Sequence, residues 1–358
     1  MALATLSFLR LSRSRSIVAR LALAVGVLTT LLLLVSLVSM TLGPVPITLS
    51  HVADVILRPL GLDVASHTRT EELVITQLRL PRVVVGALVG MGLGVAGAVM
   101  QGLFRNPMAD PGVIGVSAGG AAGAVLCLAL GLGGLFFLAL PVFAFLGAAG
   151  AIFLVYGIAL AGGRFSMATL LLAGIAVSAF LSALVSAILI LVPRGETVRQ
   201  ILFWLAGGLD SRSWDHVWLA APIIVPCVAV AMVFARDLNL LMLGDDEAKS
   251  LGVRVGLVRP LLLVLAAMIT GAAVSVSGII SFVGLVAPHM LRLILGPDHR
   301  LLVPASGLGG AFFLVGADTL AHTLTQPAEV QVGIVTAFIG APFFLFLLLR
   351  NKRRAEAF

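Results

Sequence analysis

Apolar runs of near-membrane length recur at short intervals along this whole chain, and that pattern leaves few folds open. A helix needs about 20 apolar residues to cross a hydrocarbon layer of roughly 30 Å. Inside that layer every backbone N–H and C=O must be paired within the chain. The 358 residues are 60% hydrophobic and only 11% charged, too little charge to cover a soluble surface of this size. The pattern predicts one all-α integral membrane domain over residues 1–358. We place ten transmembrane helices at 17–41, 82–103, 113–134, 138–161, 169–192, 216–235, 259–280, 282–295, 302–322 and 332–349. The eighth is short for a straight crossing, as in a helix that is broken or leans on its neighbours. No strand-like domain, low-complexity region or tandem repeat is visible.

Charge sets the orientation. With the N-terminus in the cytoplasm, sixteen of the 23 Lys and Arg residues fall inside. Arg58, Arg69, Arg79, Arg82, Arg194, Arg199 and Arg212 fall outside. This asymmetry predicts both termini in the cytoplasm. The opening stretch, with Arg10, Arg13, Arg15 and Arg20 before an apolar run to Met40, has the outline of a signal peptide. Its run is too long for that and lacks a small-residue cleavage site, so it reads as an uncleaved first span. The net charge of +7 comes mostly from span ends and gives no clustered basic face, so no nucleic-acid partner is expected. Cys127 and Cys227 lie in apolar runs and read as small buried hydrophobes.

Several motifs need their bland reading stated. Gly92-Leu-Gly94-Val-Ala-Gly97 fits the dinucleotide pattern but sits inside a span. Gly86, Gly90 and Gly94 share one helix face, which favours close helix packing. Gly115-Val-Ser117-Ala-Gly119 fits a hydrolase elbow without the strand-to-helix context it needs. There is no HExxH and no Walker sequence, so no P-loop is available to bind ATP. No histidines sit at metal-binding spacing. Arg105-Asn-Pro-Met-Ala-Asp110-Pro-Gly112 reads as a fixed turn, with Asp110 capping the next helix. The segment 236–259 is the most charged of the chain, and Gly244–Gly252 within it reads as a short capped helix. Asp318, near the outer end of a span, needs a partner there. The outer segment 193–215 carries Trp204 and Trp214, residue types suited to a membrane interface.

Eight of these segments, in order, resemble the permeases of ABC importers for iron-siderophores, haem and cobalamin, the FecCD family. They are Leu78-Arg-Leu-Pro-Arg82, Gly97-Ala-Val-Met-Gln101, Arg105–Gly112, Leu171-Leu-Ala-Gly174, Trp204-Leu-Ala-Gly-Gly208, Phe282–His289, Asp298-His-Arg300 and Gly340-Ala-Pro342. The resemblance implies a type II ABC importer permease fold in the bacterial inner membrane, pairing as two copies around a central pathway. It implies two ATP-binding cassette subunits on the cytoplasmic side and a periplasmic substrate-binding protein outside.

Residue roles follow from the resemblance alone. Gly244, Asp245, Asp246, Glu247, Ala248, Lys249, Leu251 and Gly252 match the family's ATPase-coupling segment. Arg79 and Arg82 match arginines that pair with acids of the binding protein, and His322 stands at a third basic position. Arg164, Ser166, Met167 and Thr169 match the cytoplasmic gate region. No catalytic, metal or cofactor residue is implied: ATP and Mg are bound by the separate ATPase, and the chain is a transporter subunit without enzymatic chemistry. The run Gln101–Ser117 looks most like haem permeases, with ferric siderophores and cobalamin as alternative cargoes. From other classes, an ion-coupled secondary transporter would need mid-membrane acids or paired broken helices. An intramembrane enzyme would need a convergent catalytic cluster. Neither signature is found.

Overall fold

A computed structural model describes residues 17–62, 65–161, 166–193, 195–324 and 329–355. Among these residues the fold is helical, with no strand. The helices are α1 (Ile17–Thr41), α2 (Leu49–Leu57), α3 (Arg69–Leu103), α4 (Val116–Ala129), α5 (Ala139–Leu160), α6 (Met167–Leu191) and α7 (Gly195–Ala206). There follow α8 (Trp214–Val233), α9 (Ala235–Leu241), α10 (Asp245–Ser250), α11 (Val255–Ser277), α12 (Val283–Leu295), α13 (His299–Thr323) and α14 (Val332–Ala355).

Every predicted span has a helix at its position. Among the described residues seven helices are long and apolar enough to cross a membrane. Val116–Ala129, Val283–Leu295 and the Val332–Leu347 part of α14 are shorter. The expected span 113–134 contracts because glycines with left-handed backbone flank its helix, Gly115 at φ +88° and Gly131 at φ +69°. The expected span 82–103 extends instead, starting at Arg69, one of the residues expected outside. Pro81 cannot donate a backbone hydrogen bond, yet the helix passes through it. A widened π-type turn at Val74–Arg79 absorbs the misfit, with the Leu80 N–H donating to the Ile75 carbonyl.

Helix α3 is the axle of the bundle. Largely buried, it packs on α8, α11, α12 and α13. Its glycines set how closely. A Cβ at Gly90 would lie 2.4 Å from the Gly310 carbonyl oxygen, and one at Gly94 would lie 2.1 Å from that of Ser306. One at Gly97 would lie 1.8 Å from the Gly284 oxygen. Backbone meets backbone along this seam, so any side chain would separate the helices. The packing role expected for Gly90 and Gly94 is what the structure shows. Helices α4, α5 and α6 form a second group that meets the first through α11. The first helix lies on α13 and otherwise shows apolar side chains such as Val27, Leu33 and Leu34 outward, the outside of a protein solvated by lipid.

Helix α7 was not expected. Its residues were read as a polar loop because Glu196, Arg199 and Gln200 mask an amphipathic pattern. That pattern buries Ile201 and Trp204 against Val185 and Val274. Trp204 is therefore a core residue and not an interface anchor. Trp214 donates its indole N–H to the Thr76 carbonyl at 2.9 Å.

Candidate functional site

Two polar centres flank the buried stretch of α3. Arg82, within the helix, and Arg105, just past its end, mark them, separated by about 35 Å at the helical rise.

At the Arg105 end, the chain leaves α3 through a turn in which Arg105 adopts φ +51°. Asn106 Oδ1 accepts from the Met108 N–H at 3.0 Å, and Asp110 Oδ1 accepts from the Gly112 N–H at 2.8 Å. These bonds fix the turn that Arg105–Gly112 predicted. The turn aims the Arg105 guanidinium across the bundle. Its Nε donates to the Leu241 carbonyl at 3.1 Å and its Nη2 to Asp245 Oδ1 at 2.9 Å. Arg259, near the start of α11, grips the same carboxylate with two bonds of 2.6 and 2.5 Å. Asp245 thus joins α10 to both α3 and α11. The Arg259 hydrogen bonds hold its carboxyl below the usual range, burial opposes them weakly, and the group stays ionised.

The rest of α10 is built as a knob on that joint. Gly244 precedes it at φ +141°. Ala248 is fully buried, whereas Asp246, Glu247, Lys249, Ser250 and Leu251 face outward. The Gly252 N–H donates to the Lys249 carbonyl at 3.0 Å and the Val253 N–H to that of Ala248 at 2.9 Å. This is a Schellman stop, with Gly252 at φ +89°. Just before the knob, α9 is pinned in turn: Asn239 donates to Asp298 Oδ1 at 2.7 Å and accepts from the His299 N–H at 2.9 Å. The Arg300 hydrogen bonds press Asp298 down to about 2, so this cap carries a full charge. Nothing crowds Gly252, so Gly252→Ala should cost only its left-handed backbone, about 1 kcal/mol. Faster amide exchange confined to residues 245–253, with the bundle unaffected, would be the expected reading; equally faster exchange across the whole chain would contradict this account.

At the other end, Arg79, Arg82 and His322 come together on the lining of one cavity of about 580 Å³. Their chemistry differs. Arg82 binds Asp318 through two bonds of 2.8 and 2.9 Å and Glu329 at 2.9 Å, with Asp210 at 3.3 Å. Asp318 thereby has the partner its position demanded. Arg79 holds backbone carbonyls only, those of Met40 and Val45. His322 Nδ1 lies 3.9 Å from Asp318 Oδ2. Asp210 is also fixed by Gln331 at 2.7 Å, and the strands of loop beside it are stitched by Gly208 N–H to Ser277 O and Gly333 N–H to Gly207 O. Burial works to raise Asp210, but its bond with Glu329 and the nearby Arg82 charge keep it low. The same bond, helped by burial, raises Glu329.

Of the residues expected at the gate, Ser166 caps α6 and its Oγ accepts from the Thr169 N–H at 3.4 Å. Met167 packs against the main core, and Thr169 is exposed. Arg164 lies outside the described residues. The carboxylates Asp210 and Glu329 were missed in the sequence, as was Arg212; only a surplus of arginines on the disfavoured side hinted that acids would gather there. Among the described residues no group of three or more His, Cys, Asp or Glu is arranged to hold a metal.

Nothing in either centre lines up a nucleophile, base and oxyanion donor. A helical membrane bundle that clamps an outward-facing knob at one end has the build of the membrane-spanning part of a transporter. This chain belongs to the FecCD transport family, which it matches over residues 31–350. It is 44% identical to the cobalamin import system permease protein BtuC of Halobacterium salinarum, across 91% of this chain and 95% of that one. To the hemin transport system permease protein HmuU of Yersinia pestis it is 43% identical, across 77% and 83%. Its fold superposes with TM-score 0.80 and 32% identity on an inward-facing structure of a transporter assigned to the metal-chelate ABC type, covering 91% of this chain and 98% of that one. The chain is thus a multi-pass ABC importer permease, a class of subunit that is not itself an enzyme. Its relatives carry different cargoes at nearly equal identity, so the family resemblance extends to import and not to haem in particular.

Proposed function

We propose that this subunit forms the haem pathway of an ATP-driven importer in the bacterial inner membrane, working by alternating access. Two copies pair, two ATP-binding cassette subunits dock on α10 from the cytoplasm, and a periplasmic binding protein delivers cargo at the Arg79 end. Both termini and the Asp245 end then face the cytoplasm. The observation that carries the mechanism is the clamp on Asp245. A docked ATPase pushing the knob pushes a carboxylate gripped by two arginines, so its motion passes to α3 and α11 together. A solvated loop would absorb the same push. Haem is supported by the likeness of Gln101–Ser117 to haem permeases and by the similarity to the hemin permease.

The test is uptake into liposomes holding this chain with its ATPase, the binding protein being supplied outside. ATP-dependent accumulation of haem, exceeding that of a ferric siderophore or cobalamin, is the expected result. Uptake of one of the other two instead would leave the importer and replace the cargo. Uptake driven by an ion gradient with no ATPase present would overturn the importer itself.

A further inference from the structure

The path of force proposed above runs from Asp245 into α3 and α11 and leaves α13 out. The Asp298-His-Arg300 segment, at the start of α13, stands directly against α9, the short helix that carries the knob. Asn239 of α9 commits its whole amide there. Its Nδ2 donates to Asp298 Oδ1 at 2.7 Å. Its Oδ1 accepts twice from His299, from the backbone N–H at 2.9 Å and from Nδ1 at 2.7 Å. An amide oxygen can only accept, so the imidazole proton sits on Nδ1 and Nε2 is a bare acceptor. His299 is fully buried, and its Nε2 has no partner among the described residues. Arg300 fixes Asp298 in turn, its Nε donating to Oδ1 at 3.1 Å and its Nη2 to Oδ2 at 2.8 Å. On the α3 side the fit is close. A Cβ at Gly102 would lie 2.7 Å from Leu238 Cγ and 2.9 Å from His299 Nε2.

A buried imidazole with one nitrogen unmet gives up part of what its burial gains. An apolar side chain would fill the same space without that cost. What the histidine adds is its Nδ1 bond, and that bond holds Asn239. Three bonds to one side chain fix direction as well as distance, so α9 can neither roll nor slide on the end of α13. We propose that Asn239 and His299 are positioning residues for the transport stroke: they join α9 rigidly to α13 and give a push on the knob a second path, into α13, beside the one through Asp245. This rests on the ATPase docking at α10 put forward above. With Arg105 also holding the Leu241 carbonyl, the arm that carries the knob is fixed on α3 and α13 at once.

The experiment places the full chain with its ATPase in the liposomes of the uptake assay and follows hydrolysis together with uptake of haem, a ferric siderophore and cobalamin. Asn239→Leu keeps most of the side-chain volume and removes all three bonds. Uptake per ATP hydrolysed should fall about fivefold, the order expected for one lost hydrogen-bonded joint, while hydrolysis continues. His299→Asn places a donor where Nδ1 stands and should keep the coupling. His299→Gln places its donor where the unmet Nε2 stands and should lose it. His299→Asn, the smaller side chain, should melt no higher than His299→Gln, so coupling and stability part ways, which a merely structural role would not produce. Nitroxide labels at Ser250→Cys on α10 and Leu320→Cys on α13, both exposed positions, read the joint directly. Their distance should be narrowly distributed and unmoved by ATP with Asn239 present, and broad in Asn239→Leu. Full coupling in Asn239→Leu, or equal coupling in the two His299 variants, would overturn the second path. An ATPase that fails to bind the unaltered chain would refute the docking reading itself. The label distances would still decide the joint, since equal widths with and without Asn239 would overturn it.

Discussion

Gly97→Ala, the addition of one methyl group, is expected to abolish assembly of the bundle. The new Cβ would fall 1.8 Å from the Gly284 carbonyl oxygen, and that atom is backbone at the start of α12. A flexible side chain could turn away; a carbonyl within a helix cannot move without carrying the helix along. Overpacking in a close-packed interior usually costs about 1–3 kcal/mol, and a backbone collision belongs at or beyond the upper end of that range. Monodisperse protein after detergent extraction should fall to a small fraction, and what remains should melt many degrees lower. Gly150→Ala is the matched control. It also lies within a membrane helix, nothing stands within 4 Å of its Cβ position, and it should be neutral or stabilising by up to about 1 kcal/mol. Equal melting of the two variants would remove the argument that α3 and α12 meet backbone to backbone.

Asp245→Asn should separate hydrolysis from transport. The amide keeps the size of the side chain but loses the charge that Arg105 and Arg259 share. The side chain is partly exposed, so little stability is at stake and the melting temperature should move by a few degrees at most. ATP-dependent uptake should nonetheless fall by about tenfold or more, equivalent to ~1.4 kcal/mol of lost coupling, while the ATPase continues to turn over. Arg259→Gln should do the same. The double variant should be no worse than Asp245→Asn alone, since the Arg259 contact is one of the two that Asp245→Asn already removes. Uptake and hydrolysis falling in parallel would show that Asp245 holds the ATPase in place without passing on its motion.

The helices at the ten span positions were legible because lipid demands long apolar runs, and that signal survives any tertiary arrangement. The Arg105–Gly112 turn and the α10 knob were legible for a different reason. Their stops are local, made by Asp110 and Gly252 bonding within a few residues of themselves. Long-range pairing was not legible. Arg82 stood out by its motif, but its partners Asp318 and Glu329 lie more than 230 positions away, and no local pattern names them. Helix α7 escaped because its charges resemble those of a solvated loop until Trp204 is seen packed inside.

The seam along α3 also limits how this subunit can move. Gly90, Gly94 and Gly97 lie about one turn apart, each facing a carbonyl of α13 or α12. They behave like the teeth of a rack: sliding by a fraction of the ~5.4 Å pitch would drive the next non-glycine side chain into a carbonyl. Shear is therefore blocked, and in the alternating access proposed above α3, α12 and α13 would swing as one rigid plate. Helices α5 and α6 are far less enclosed, so under the alternating access proposed above the bending would fall on them, with α11 the element that joins the two groups.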